Sequence, residues 1–421
     1  MTNVTKNKIA STAKANKMIN QQDKKTKIHA PIVEALKYAY ECPTYQFHIP
    51  GHTKGNGVLP EFRKLIGTKA LSIDTTDEFD GLGTLHPATG PIKEAQELAA
   101  EAFGAKKTFF LLNGSTAGNL ALAMGLTKKG EKIIVNRNCH RSILTGMIIS
   151  GAEPIWLIPK KLEEWGIWGC VTPESVEEML KNNPKAGMVW ITNPTYEGVV
   201  SDIKSISEIC KKYAGPLIVD EAHACLWNFN NHLPTTALKL GADAVVHSLH
   251  KTGGSMSQSS MLHIAENSKL DIEAIEKALK LLHTTSPSLM LLASLDAARA
   301  NLDSPRGRKQ LERAVQNAKY LRREIDKLEH IHHLKPDFGF KTDITKVFIR
   351  DDRLSGKRLE SILEIDFNIE VESASDAGLL ILSNIGNTRS DMQYLVKCLQ
   401  KIDKTNYTDI CYLEKKKHMP M

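Results

Sequence analysis

The segment Ser248-Leu249-His250-Lys251-Thr252-Gly253-Gly254 follows a short apolar run, Ala244-Val245-Val246. A lysine among Ser, His, Thr and paired glycines at a strand's end suits Schiff-base chemistry. Its small polar neighbours suit an anion such as a cofactor phosphate. A solvated surface lysine is the plainer alternative. A second segment, Asn113-Gly114-Ser115-Thr116-Ala117-Gly118-Asn119, lies between an apolar run and an Ala/Leu-rich stretch. Ser115 or Thr116 can cap a helix there, and the free N–H groups and helix dipole can hold a phosphate. The same residues also read as an ordinary N-cap, and no nucleotide P-loop pattern is present. In Leu217-Ile218-Val219-Asp220-Glu221-Ala222-His223, Asp220 ends a buried strand. A carboxylate there is costly unless paired. A protonated pyridine nitrogen would pair with it and become a better electron sink. Asp, Glu and His are also metal ligands. On a continuing strand, however, Asp220 and Glu221 face opposite ways, and no second ligand cluster accompanies them, so no metal is expected. His140, in Asn136-Arg137-Asn138-Cys139-His140-Arg141-Ser142, follows another strand. It could stack on an aromatic cofactor or cap a helix.

Jointly these residues describe a pyridoxal 5'-phosphate site: a phosphate cup, an acid for the ring nitrogen, a stacking histidine and a Schiff-base lysine. Asp220 precedes Lys251 by 31 residues, room for one helix and one strand. The elements around them fit. Apolar runs at Thr108–Leu112, Lys132–Val135, Glu153–Ile158, Met188–Thr192, Pro216–Val219 and Ala244–His247 alternate with helical stretches such as Pro173–Lys181 and Ile203–Tyr213. That alternation predicts an α/β fold with a mainly parallel sheet covered on both faces. Ligands in such sheets bind at the carboxyl ends of the strands, where the residues above fall. Ser288–Leu328 reads as long helices broken at Pro305-Arg306-Gly307, and from about 330 a smaller α/β unit begins. The expected division is a basic, disordered segment 1–27, a cofactor-binding large domain 28–300, a small domain 301–405 and a tail 406–421.

Bulk properties narrow the function classes. The 421-residue chain is 42% hydrophobic and 24% charged, ordinary for a soluble globular protein. No apolar run approaches the roughly 18 residues of a membrane span. The net charge of +7 gathers at the ends, in the first 27 residues and Lys415-Lys416-Lys417. Without interleaved aromatics this reads as solvated tails rather than a nucleic-acid surface. Seven cysteines without C-x-x-C spacing fit a reducing, cytoplasmic compartment. The basic N-terminus keeps an organelle transit peptide as the alternative.

In sequence order the chain also carries His48-Ile49-Pro50-Gly51-His52, Leu85-His86-Pro87-Ala88-Thr89-Gly90-Pro91-Ile92 and Thr284-Thr285-Ser286-Pro287-Ser288. With the segments above, it resembles the bacterial-type ornithine/lysine/arginine decarboxylases of the aspartate-aminotransferase fold (fold type I), from about residue 30 to 402. The resemblance implies that Lys251 bonds the cofactor and that Asp220 pairs with its pyridine nitrogen. It puts His140 and Ala222 on the two faces of the ring. Ser115, Thr116, Ser248 and His250 would hold the phosphate, with Ser286 reaching the phosphate of a neighbouring subunit in a homodimer. His223 would lie near the substrate, and His223 or Lys251 would return a proton to Cα after CO₂ leaves. The implied substrate is a basic amino acid, arginine before lysine or ornithine, and the product a polyamine-pathway amine.

Two departures bear on that expectation. Ala224, Cys225 and Leu226 stand where relatives have Gly-Ala-His. Relatives also continue into a further C-terminal domain, whereas this sequence stops about twenty residues after Leu399. Asp77, Glu78 or Asp80 is expected to supply acidic charge for the substrate's distal cation. Another fold type I enzyme, an aminotransferase using Arg389 or a lyase, is the alternative, followed by a catalytically impaired relative.

Overall fold

The computed structural model describes residues 28–41, 45–76, 81–213, 215–336, 340–405 and 407. Residues 1–27, nearly all of 406–421, and Asp77, Glu78 and Asp80 lie outside the described residues. Strands β1 (Lys107–Leu111), β2 (Lys132–Asn136), β3 (Glu153–Leu157), β4 (Val189–Thr192), β5 (Leu217–Asp220), β6 (Ala244–His247) and β7 (Ser260–Ile264) form a seven-stranded sheet in the order β1-β7-β6-β5-β4-β2-β3. All neighbours are parallel except those of β7, which runs against both β6 and β1. The sheet is therefore α/β and mainly parallel, as the alternating pattern predicts. Strand β7 is absent from that prediction.

The two faces of the sheet explain its apolar sequence. Successive strand side chains point to opposite sides. Ile133, Val135, Ile218, Ala244 and Val246 join one core with the helices α1 (Gly114–Leu126), α2 (Arg141–Ser150) and α3 (Ile272–Leu282). Ile134, Leu217, Val219 and Val245 join the other, under the helices Pro173–Asn182 and Ile203–Lys212. Both faces are covered, so β5 and β6 are buried along their whole length. Helix α1 lies close on the sheet because Gly118 has no side chain. A Cβ there would come within 2.8 Å of Leu111 and 3.2 Å of Val246.

Helices α4 (Leu289–Asp303) and α5 (Pro305–Ile325) lead to the second sheet. The break falls at Ser304, one residue before the expected point. Its hydroxyl accepts from Gly307 N at 3.1 Å, and Pro305 takes the first helical position, where a missing N–H costs nothing. The second sheet is antiparallel, with strands β8 (Ile331–His333), β9 (Lys346–Asp351), β10 (Ser373–Ala374) and β11 (Leu379–Leu382) in the order β8-β9-β11-β10. Helices α6 (Gly356–Phe367) and α7 (Arg389–Lys404) cover it with the second half of α5. Leu311 and Val315 of α5 pack in the large core, whereas Ala318, Leu321 and Ile325 pack in the small one.

Arg322 fastens α5 to this sheet from inside. Its guanidinium donates to Leu334 O at 2.9 Å, Lys346 O at 2.8 Å and Ile344 O at 3.4 Å. Burial pushes its pKa down to about 10. Replacing it strands several buried carbonyls, each costing about 1–3 kcal/mol. Arg322→Met is expected to lower unfolding free energy by at least about 2 kcal/mol in urea titrations.

Candidate active site

The carboxyl ends of β2, β5 and β6, together with the start of α1, bring most of the expected residues to one edge of the sheet. Asp220 closes β5 and is 2% exposed. Its carboxylate accepts from Asn119 Nδ2 at 3.0 Å and from Ala222 N at 3.1 Å. It forms no ion pair among the described residues, so a buried anion stands with hydrogen bonds but no counter-ion. Glu221 points the other way, to His247 Nε2 at 3.1 Å and Ala237 N at 2.8 Å, as strand alternation requires.

A polar chain extends from Asp220. Asn119 Nδ2 also donates to Ser142 Oγ at 2.9 Å, and Ser142 Oγ lies 2.7 Å from His140 Nδ1. Nδ1 also accepts from Ser142 N at 3.2 Å, so His140 is the N-cap of α2. With Nδ1 accepting, the neutral ring carries its proton on Nε2. Burial holds its pKa below the usual imidazole value, against the opposing pull of Asp220. His140 thus performs the capping role open to it, with its ring fixed beside the charges of Asp220 and Lys251.

The phosphate-cup expectation needs one correction. Neither Ser115 nor Thr116 caps α1. Asn113 is the N-cap, no side chain closes the turn, and the two hydroxyl residues sit in the first helical turn. Gly114, at φ +67°, makes that entry, and its N–H is taken by Gln258 O at 2.7 Å. The helix end still offers backbone donors. On the other side, Ser248 is wholly buried and its hydroxyl has no hydrogen-bond partner among the described residues. His250 Nδ1 donates to Ser259 O at 2.8 Å, which orients its ring. Ser286 lies exposed on the loop before α4, where its hydrogen bonds run to Thr284.

Lys251 sits in the short helix Leu249–Thr252, with Nζ 2.8 Å from His223 Nε2. Burial lowers its pKa, with Asp220 and Glu372 opposing. His223 retains some exposed surface. Even so, burial, with Lys346 and Lys251 adjacent, holds it well below the usual imidazole value. Lys346 Nζ is 3.2 Å from His223 Nδ1 and donates to Tyr196 O at 2.8 Å. Tyr196 packs edge-on against His223 and donates from its hydroxyl to Glu372 at 2.7 Å. A cleft of about 840 Å³ elsewhere, lined by His86, Lys107, Glu276 and Lys280, contains none of these residues.

Lys346 and Glu372 come from the small sheet and its flank, Tyr196 from the loop after β4; sequence patterning picks out none of them. The local traces they leave are slight: Asn119 is a polar residue in an Ala/Leu-rich helix, and Lys346 a charge at the head of the run Val347-Phe348-Ile349, which ordinarily reads as a solvated strand end. Arg389 stacks on Tyr320, 3.6 Å from the ring centre.

Comparison with known proteins decides the family. The sequence pattern described as "Orn/Lys/Arg decarboxylase, major domain" matches residues 30–349. The arginine decarboxylase of Bacillus cereus is 38% identical over 382 residues, 89% of this chain and 82% of that protein. The chain belongs to the Orn/Lys/Arg decarboxylase family. Among solved structures, a lysine decarboxylase of Francisella novicida superposes with a TM-score of 0.80 at 22% identity. The match covers 89% of this chain and 60% of that one, so the decarboxylase fold extends well past the shared part there. A serine palmitoyltransferase of S. paucimobilis, solved with a PLP–myriocin adduct, matches at TM-score 0.60 and 16% identity over 88% of this chain and 82% of that chain. The fold is therefore shared with enzymes outside the decarboxylase family.

The Asn119 bridge has a measurable weight. Asn119→Ala is expected to cost about 1–3 kcal/mol of unfolding free energy, because Asp220 loses a donor it cannot replace from solvent. Asp220→Asn removes the buried charge while keeping an acceptor, so its melting temperature should stay within a few degrees of the parent; calorimetry compares the two.

Proposed function

We propose that this decarboxylase-family chain removes the α-carboxylate of a basic amino acid, arginine before lysine or ornithine, with pyridoxal 5'-phosphate. One observation carries the reading: Lys251 and the buried Asp220, which forms no ion pair among the described residues, meet at the same sheet edge beside His140. The residues fit the cofactor. Asp220 awaits a cation, which a pyridinium supplies, and the partnerless Ser248 hydroxyl awaits an acceptor. In this reading Ser115, Thr116, Ser248 and His250 hold the phosphate, Asp220 holds the ring nitrogen's proton, and Lys251 provides the covalent attachment. His140 and Ala222 flank the ring. When bound, the cofactor supplies an electron sink for the bond between Cα and the carboxylate. The protein's own part is to orient that bond and to keep a proton at His223 Nε2 or Lys251 Nζ for return to Cα.

The substrate's distal cation finds acidic charge in Glu372, exposed at the edge of the site and tied to Tyr196. Its charge is felt at both Lys251 and Lys346. The reading takes residues 28–300 as the cofactor-binding domain and 301–405 as the small domain. It places the protein in the cytoplasm, as its scattered cysteines suggest.

A homodimer completes it. Phe47 is 99% and Tyr45 95% exposed, apolar surface of the kind that a second copy covers. Ser286 would then serve the partner's phosphate. No helix among the described residues is long and apolar enough to cross a membrane.

Three measurements test this reading. Purified, cofactor-loaded protein should release CO₂ from arginine faster than from lysine or ornithine, with one amine per CO₂ and no keto acid; Lys251→Ala should release none. Glu372→Gln should raise KM for arginine about tenfold with little change in kcat, the loss of one charge-assisted contact. In sedimentation, the parent should run as a dimer and Phe47→Asp should shift it toward monomer.

A further inference from the structure

His223 lies between two lysines. Lys251 Nζ is 2.8 Å from Nε2 on one side, and Lys346 Nζ is 3.2 Å from Nδ1 on the other. An ammonium donates and cannot accept, and a neutral imidazole has one donor nitrogen and one acceptor nitrogen. With a neutral imidazole both contacts are therefore hydrogen bonds only when at least one lysine is a neutral amine that accepts from the ring N–H. With Lys346 charged, it donates to Nδ1, and Nε2–H donates to the lone pair of Lys251. With Lys251 charged, the order reverses and the imidazole proton sits on Nδ1.

Lys346 is built to hold its side of the exchange. It is 2% exposed at the start of β9 and reaches across to the large domain. There Tyr196 O accepts from it at 2.8 Å, and the Tyr196 ring centre lies 5.4 Å from Nζ. Gly198, at φ +99°, makes room, since a Cβ would come within 2.9 Å of the Lys346 side chain. Asp343, Glu372 and Glu197 favour its charge, and Lys251 opposes it. His223 faces Lys346, Lys251, His140 and His250, and Lys251 faces Asp220, Glu372 and Cys225.

We propose that Lys346 is a positioning residue acting through His223: the three groups share one ammonium charge, and Lys346 stores the proton that Lys251 gives up or regains. The transfer balances. One Lys346 N–H bond breaks as Nδ1–H forms, Nε2–H breaks as a Lys251 N–H forms, and the charge passes from Lys346 to Lys251 with the imidazole neutral throughout. The inference rests on the reading of Lys251 as the cofactor lysine. Burial brings Lys346 down to about 8, so its store fills below that pH and empties above it.

The test uses the cofactor-loaded enzyme saturated with its product amine, so that Lys251 Nζ is free, and its Lys346→Met and Lys346→Arg variants. Nitrogen-15 NMR of labelled histidine, with His223 assigned by its loss in His223→Gln, reads which ring nitrogen carries the proton. The parent should hold Nε2–H below about pH 8, where Lys346 is the ammonium, and release that tautomer as Lys346 empties above it. Lys346→Met should lose that switch, and Lys346→Arg, which cannot release a proton in this range, should hold Nε2–H throughout. In both variants kcat should fall about 10²-fold with KM within about threefold, and the kcat limb near pH 8 should disappear. An unchanged tautomer switch together with an unchanged kcat profile in Lys346→Met would overturn the proposal. Borohydride reduction followed by peptide mapping tests its foundation separately. Labelling of Lys251 sustains the underlying reading whatever Lys346 does, and labelling elsewhere removes both.

Discussion

The cost of burying Asp220 governs the carboxyl edge of the large sheet. A carboxylate at 2% exposure with no ion pair among the described residues must be held by fixed donors. Ala222 N supplies one from the following turn, and Asn119 supplies the other from α1. That second bond fixes the rotation of α1 on the sheet, which in turn fixes where its uncapped first turn points. Through Ser142 the same amide sets the tautomer of His140. A helix's orientation and an imidazole's proton thus follow from one buried charge.

The amino-acid pattern carried the large sheet well. Its strands are apolar on both faces and short, and their ends coincide with Asn113, Asp220 and Ser248, so edge and chemistry were legible together. Strand β7 was not, because Ser260-Met261-Leu262-His263-Ile264 follows a glycine- and serine-rich turn and mixes polar with apolar residues. His263 is tolerated there only through Thr108, 2.8 Å from its Nδ1, and by stacking on Phe103. Such compensation is long-range and leaves no local signal. The break between α4 and α5 was legible to within one residue, since proline and a capping serine act locally.

The site divided along the same line. Lys251, Asp220, His140 and Ser248 could be read from their places at strand ends. Lys346 and Glu372 could not, because they reach His223 and Lys251 only once the small sheet has docked, and Tyr196 lies on an irregular loop that carries no pattern. Lysine at the head of a strand ordinarily reads as a solvated end. The expected capping role of Ser115 and Thr116 failed for a local reason: Gly114, able to adopt positive φ, lets the helix begin two residues earlier.

Helix α5 belongs to both hydrophobic cores along one uninterrupted run, Pro305–Ile325. Neither core can come apart without stripping apolar contacts from half of that helix, and a helix is itself cooperative along its length. The two sheets therefore share a mechanical spine. A shift of the small sheet is passed along a stiff rod to the wall of the large one. In a catalyst whose charged groups come from both the large sheet and the small one, such a spine fixes their separation.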